Sequence, residues 1–513
     1  MKRMAGLATA FVMLGSVPVQ AATEEEAASA LFDHVVAQPP RLRVFLQQMP
    51  KGGDLHNHLW GQPYAEDFMA WGGKAGLCAS RKTLAIVPPP CKAPETEALK
   101  DLGRRDEKLY SDMIESLSNR GRNQGLGVND VTGHDDFFDT FGRFFLAALA
   151  SPGGMLASAR TSAAANGVSY LELMENPAAA DKAGHLAKTR PWTPGDFEEA
   201  YRQIAPALPG LVADAMAETD AIERDAQREL GCDRAKPAPA PCTVTVRYQS
   251  YGLRSQEPAY VFGQLALGFA LADKDPRYVA VNIVAPEDGA VAVADFDQHM
   301  QMFRFFSARY PGVKKSIHAG ELDLGLVPPR ALSYHIRQSV EIAGANRIGH
   351  GVDISYETDA PGLLARMAKD RIAVEINLTS NDTILGVKGP RHPLALYRAA
   401  GVPVVLSTDD EGVSRSDMTN EYLRAATEQG LRYADLKGMA RASIEYAFLP
   451  GESLWLAGRI GQRGDACRNA DAGAEQPGGT CGRLLAASEK AAAQWRLENQ
   501  FISFERRIVA LTF

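Results

Sequence analysis

The chain has 513 residues, 45% hydrophobic and 23% charged, with 46 Gly and 30 Pro; these proportions describe a globular chain and exclude a fibrous, repetitive or disordered one. Its 55 basic and 62 acidic residues leave a formal charge of −7, and no basic block is long enough to neutralise a run of phosphates, which argues against nucleic acid as a partner. The length would allow several domains at about 150 residues each, but an α/β barrel with insertions reaches that size as one.

Lys2 and Arg3 precede an apolar run over 4–14 and a small-residue site, Val19-Gln20-Ala21. That order is the pattern of a secretory signal peptide, residues 1–21, with 22–513 as the mature chain. The run is shorter than the roughly 20 residues of a membrane span, and no later segment is longer without charge, Gly or Pro, so no membrane anchor is expected. Helical spacing follows over 24–48. Eight β-rich runs then recur, at 53–58, 168–173, 243–248, 278–284, 315–318, 347–350, 372–377 and 402–407. Amphipathic stretches such as 296–309, 329–343 and 362–369 lie between most of them. Repeated strand-then-helix units predict the α/β class and a single (β/α)8 TIM barrel. Residues of about 75–165, mostly helical and polar, are read as a helical insertion between strands 1 and 2, and about 482–513 as a C-terminal helical extension. Two Pro-, Gly- and Ala-rich pieces, 236–241 and 464–479, read as surface loops.

The six cysteines fall into three sequence-near pairs, Cys78/Cys91, Cys232/Cys242 and Cys467/Cys481. Six cysteines allow fifteen connectivities; local pairing is expected because each partner is the nearest available. None stands at zinc-ligand spacing with a His or another Cys. Signal and disulfides together predict an exported protein, periplasmic or secreted, and the bacterial style of the signal favours the periplasm.

His56 and His58 are two apart on the first strand, so both imidazoles share a face. His318 closes the fifth strand, His350 the sixth, and Asp409-Asp410 follow the eighth. In a barrel these ends open onto one mouth, where active sites sit. The chain has ten histidines, of which four occupy such ends. The other six (His34, His134, His185, His299, His335 and His392) fall in predicted helices or loops and are read as solvent-facing or structural. A catalytic zinc takes about three protein ligands and keeps a position for water, whose pKa it lowers towards about 7. His56, His58, His318 and Asp409 meet that need. Adjacent residues at a strand end point apart, so Asp409 can ligate while Asp410 faces a substrate.

Four segments, Met-Pro-Lys-Gly-Gly-Asp-Leu-His-Asn-His-Leu at 49–59, Ser-Ile-His-Ala-Gly-Glu at 316–321, Arg-Ile-Gly-His-Gly at 347–351 and Ser-Thr-Asp-Asp at 407–410, together resemble the adenosine deaminase family. The opening Met-Pro-Lys-Gly-Gly, the insertion and the export signal are most similar to its secreted, growth-factor-related branch. The resemblance covers about 45–450. It implies a zinc-dependent hydrolase of C–N bonds in cyclic amidines, converting adenosine and 2′-deoxyadenosine to inosine forms and ammonia. His56, His58, His318 and Asp409 would hold one Zn²⁺ per chain. Glu321 would be the protonated acid that serves ring N1, and His350 would orient the attacking water and move its proton. Asp410 would hydrogen-bond N7, and the backbone N–H of Gly320 would reach N3. The implied partner is a small purine nucleoside, and the implied assembly a homodimer.

Some positions depart from the family's pattern. Trp60 stands where cytosolic members carry an aspartate that touches the ribose 5′-hydroxyl, and a sugar or base could pack on its indole instead. Ala285, in Val284-Ala285-Pro286-Glu287-Asp288, replaces a usual glycine and adds bulk to the pocket, and Asn282 replaces a usual aspartate. Asn377-Leu378-Thr379-Ser380-Asn381 resembles the Cys-Pro-x-Ser-Asn run of the secreted branch without its Cys-Pro. Trp60 and Ala285 favour an alternative substrate, another amine-bearing purine or a modified nucleoside. A binuclear amidohydrolase would call for a bridging lysine on the fourth strand, and 278–285 has none. A third reading, of another class, is an inactive extracellular nucleoside-binding protein.

Overall fold

The computed structural model describes residues 23–120, 133–234 and 236–510; the expected signal peptide lies outside the described residues. Eight parallel strands build the barrel: β1 (Gly52–His58), β2 (Val168–Met174), β3 (Thr245–Leu253), β4 (Tyr278–Val284), β5 (Lys314–Ala319), β6 (Arg347–His350), β7 (Ala373–Ile376) and β8 (Val404–Leu406). They hydrogen-bond in chain order from β1 to β8. The ring closes where Asn57 bridges to Asp409, just past β8. There the His58 N–H donates to the Asp409 carbonyl at 3.0 Å and the Asp409 N–H to the His56 carbonyl at 2.9 Å. The (β/α)8 expectation holds.

Strands β4 and β6 coincide with the expected runs. β3 begins two residues later than expected and ends five later. Its second half turns the polar side chains of Gln249 and Ser250 into the interior, which erases the apolar pattern that marks a strand. The helical start divides into Glu24–Val35 and Pro39–Gln48, because consecutive prolines open a helix but cannot continue one.

Motif residues outside the candidate metal set close the barrel. Asn57 Nδ2 donates to Thr408 Oγ1 at 2.9 Å, and the Thr408 hydroxyl donates to Asp54 Oδ2 at 2.5 Å, which zips β1 to the end of β8. Lys51 is buried and donates to the carbonyls of Leu46 (2.6 Å), Met49 (3.0 Å) and Asn166 (2.8 Å). Three acceptors compensate for burying an ammonium, and burial lowers its pKa to about 7.

After the helix Ala65–Lys74, the insertion holds the helices Leu102–Arg105, Glu107–Ser116, Gly133–Ala150 and Pro152–Ala165. It also holds a three-stranded antiparallel sheet, Cys78–Ser80, Ile86–Val87 and Thr96–Ala98. Strands of two or three residues leave no alternation to read. The insertion is not polar throughout either: helix Gly133–Ala150 sends Phe137, Phe141, Phe145 and Leu149, each four apart and so on one face, together with Phe138, towards the barrel mouth.

The disulfides join the three expected pairs, with Cα separations of 5.5 Å for Cys78–Cys91, 5.6 Å for Cys232–Cys242 and 4.6 Å for Cys467–Cys481. The last lies in a small cluster with Leu454, Trp455 and Trp495, beside the C-terminal helix Glu489–Ile508. Among the described residues no helix is long and apolar enough to cross a membrane.

His134 ties the insertion to the loop after β4, with Nε2 3.0 Å from Asp288 Oδ1 and Nδ1 2.9 Å from Asp135 Oδ1. The bond to Asp288 carries the imidazole up to about 9 from its ordinary 6.5. A folded-state pKa above the unfolded one adds stability that is whole below 6.5 and is lost as pH rises through 9. His134→Ala is therefore expected to destabilise the fold more at pH 6 than at pH 9.5, the difference being about 1 kcal/mol or less after solvent screening. Equal losses at both pH values, read by thermal denaturation, would remove this assignment.

Candidate metal centre and active site

The donor atoms of His56, His58, His318 and Asp409 all lie within 4.8 Å of one another at the barrel mouth. Asp409 Oδ1 is 3.3 Å from His56 Nε2 and 3.2 Å from His58 Nε2, and the latter is 3.1 Å from His318 Nε2. The ends of β1 and β5 and the residue past β8 supply the set, so closing the barrel assembles it. The left-handed backbone of Asp409 (φ +61°) and His350 (φ +65°) turns these side chains at strand ends, a conformation that costs non-glycine residues free energy and clusters at functional sites. Gly349 makes room for His56: a Cβ there would stand 2.6 Å from the His56 ring carbon Cε1.

Neighbouring groups fix which nitrogen faces the centre. His56 Nδ1–H donates to Glu375 Oε2 at 2.7 Å, and His318 Nδ1–H to Asn282 Oδ1 at 2.9 Å. Their Nε2 lone pairs therefore point inward, and His56 Nε2 is buried without a hydrogen-bond partner. This donor set, three imidazoles and a carboxylate, two of the imidazoles held by their outer nitrogens, fits a divalent transition ion such as zinc.

Glu375 also accepts from Arg347 Nε at 2.5 Å and Ser316 Oγ at 2.8 Å, while Arg347 reaches Glu172 at 2.5 Å. Burial alone would raise Glu375, but the Arg347 charge and then the His56 bond overcome it and hold the carboxyl at about 2. Glu375→Gln is expected to weaken metal binding by about 10- to 100-fold, measured by competition with a chromophoric chelator. Unchanged affinity in a folded variant would show that this carboxylate does not orient the ligand.

Glu321 is 7% exposed and its Oε1 lies 3.5 Å from His350 Nδ1. Burial, and next the charge of Asp409, push its carboxyl well above the usual range. Its place is set by Glu287, whose two oxygens accept the N–H groups of Gly320 (3.1 Å) and Glu321 (2.8 Å) and which His335 Nδ1 binds at 2.6 Å. The Gly320 N–H, expected to reach a purine N3, here donates to Glu287 Oε1. Asp410 is buried with Oδ1 unpartnered, packed so tightly on Gly61 that a Cβ there would stand 1.7 Å from that oxygen. Burial and Asp409 raise its carboxyl too.

A hydrogen-bond chain orders His350. The Leu394 N–H donates to His392 Nδ1 (3.2 Å), so His392 Nε2–H donates to Asn381 Oδ1 (3.1 Å), which leaves Asn381 Nδ2 to donate to His350 Nδ1 (3.0 Å). His350 thus keeps its proton on Nε2, the atom 3.9 Å from Asp409 Oδ2, and burial lowers it to about 3, leaving the ring neutral. Sequence reasoning set His335 and His392 apart from the site; both are buried and support it. Glu375, Glu287 and Asn381 were also missed as site residues. A lone carboxylate inside the apolar run of β7 was the available signal for Glu375.

These groups open onto a cavity of about 450 Å³, within the range of about 300–1,000 Å³ common for small-molecule sites. His58, Glu321, His350, Asp409 and Asp410 line one part, and Trp60 with the insertion's phenylalanines another. Trp60 stacks on Phe145 (centroids 5.5 Å apart, 26° between planes), and its Nε1–H donates to Glu175 Oε2 at 3.1 Å. Ala285 lines the cavity too, with φ +85°, a conformation that glycine adopts without strain.

Residues 155–455, more than half of the chain, match the family model described as adenosine deaminase. The adenosine deaminase of Shewanella loihica is 33% identical over 181 residues, 35% of this chain and 50% of that protein. That of Shewanella denitrificans is 34% identical over 193 residues, 37% and 53% respectively. The chain spans about half the length of the curated relatives it matches. Among solved structures, the apo N6-methyl-AMP deaminase from Arabidopsis thaliana has a TM-score of 0.50 at 17% identity, covering 80% of this chain and 94% of that one; this likeness bears on the fold.

Proposed function

Because the chain belongs to the adenosine deaminase family, we propose that it is a zinc-dependent aminohydrolase that converts adenosine and 2′-deoxyadenosine to their inosine forms. Water adds its oxygen to carbon 6, the C6–N bond breaks, and ammonia leaves. The observation that carries the reading is a buried Glu321, whose carboxyl burial pushes up, beside a complete three-histidine, one-carboxylate set in one cavity. When bound, the ion supplies Lewis acidity that makes water a nucleophile at neutral pH.

The chain's own groups do the rest. Glu321 donates its proton to ring N1, which makes carbon 6 electrophilic. His350, neutral and with its proton on Nε2, orients the attacking water and then moves a proton. Asp410, whose Oδ1 has no protein partner, hydrogen-bonds N7. Export to an oxidising compartment is part of the proposal, and the three disulfides support it. The test is the fall in ultraviolet absorbance when purified, metal-analysed protein meets adenosine. A fall that requires bound zinc supports the reading. No change with a full metal site removes adenosine as substrate and turns the search to other amine-bearing purines.

A further inference from the structure

With carbon 6 of a purine held at the metal set, the 5′-position is the part of a nucleoside that reaches farthest from the reacting atom, into the remainder of the cavity. Most of that remainder is apolar. Phe137, Phe138, Phe141 and Phe145 wall it with Trp60 and Met155, and Phe145 and Leu149 are 48% and 52% exposed, apolar surface at the mouth that a substrate could cover.

Most polar groups on that side, the Tyr251 hydroxyl apart, are already engaged by the protein. Glu175 accepts from the Trp60 indole. Glu218 accepts the Ala178 N–H at 3.0 and 3.1 Å. Asp181 accepts from the Tyr260 hydroxyl at 2.8 Å and from Gln264 at 3.2 Å, and Asn176 Oδ1 accepts the Tyr251 N–H and the Ser250 hydroxyl. Among the described residues no Lys or Arg lines the cavity. Against the phenylalanine wall a hydroxyl would exchange water for apolar surface, and a phosphate on that side would meet carboxylates without a countercharge.

We propose that the cavity selects purine nucleosides carrying an apolar group in place of the 5′-hydroxyl, a 5′-deoxy or 5′-alkylthio nucleoside, over adenosine and over 5′-phosphates. This rests on the deaminase reading and narrows it. The test compares kcat/KM of the metal-loaded full chain for adenosine, 5′-deoxyadenosine, 5′-methylthioadenosine and AMP. The methylthio compound is expected about tenfold or more above adenosine, the usual discrimination for added apolar groups in a fitted pocket, with 5′-deoxyadenosine between them. AMP is expected on the order of a thousandfold below adenosine. Phe145→Ala is expected to bring the methylthio-to-adenosine ratio back towards one. Turnover of adenosine without this preference, AMP within about tenfold of adenosine, or a ratio unmoved by Phe145→Ala each overturns the proposal and leaves the deaminase reading standing. No turnover of any of the four by protein shown to hold metal overturns both.

Discussion

Glu321→Gln is expected to lower kcat by about a hundred- to ten-thousandfold, the usual contribution of a general acid, while one metal ion per chain is retained. An amide matches the carboxyl in shape and hydrogen-bonding reach but has no acidic proton for ring N1. The site favours that proton in the native chain, since the carboxyl is buried beside Asp409 and its backbone is pinned by Glu287. Because Gln is neutral, the variant adds no buried charge, and its melting temperature should match that of the native chain. Steady-state kinetics with metal analysis on the same sample makes the measurement. Native activity in the variant would remove Glu321 as the acid, whereas loss of metal together with activity would make it a structural residue.

Stripping the metal with a chelator is expected to abolish turnover and to lower the melting temperature, and added zinc should restore both. An ion would bind the folded chain alone, because its four donors come from β1, β5 and a position shortly past β8, stretches that only the closed barrel brings together. At free metal about a thousand times Kd the linkage amounts to about 4 kcal/mol. Thermal denaturation and the adenosine assay, each run native, stripped and reloaded, provide the check. Full activity in the stripped protein would sink the metal-centre assignment.

The barrel and its metal-type residues were legible because both have short-range signatures. Alternating runs and strand-end histidines can be read from a few neighbouring positions, and His56, His58, His318 and Asp409 converge as their strand ends implied. What stayed hidden depends on contacts between distant segments. Glu375 looks like a strand residue until His56 and Arg347 are placed against it. His392 looks like a loop histidine until Asn381 connects it to His350. The bond from the Gly320 N–H to Glu287 stayed hidden because a backbone N–H has no sequence signature and Glu287 lies 33 positions away. The aromatic face of helix Gly133–Ala150 did have a readable pattern, a phenylalanine every fourth residue. It was passed over because the surrounding stretch reads as polar.

That helix has a further consequence. The groups that would perform the chemistry all sit at the ends of barrel strands, whereas the distal wall of the cavity is built largely by a segment inserted between two of them. Reactivity and recognition are thus encoded in separate stretches of one chain. Lengthening, shortening or exchanging the inserted stretch changes what fits against the wall without disturbing a single metal donor. A scaffold partitioned in this way can diversify its choice of molecule by drift in one module while selection holds the other fixed.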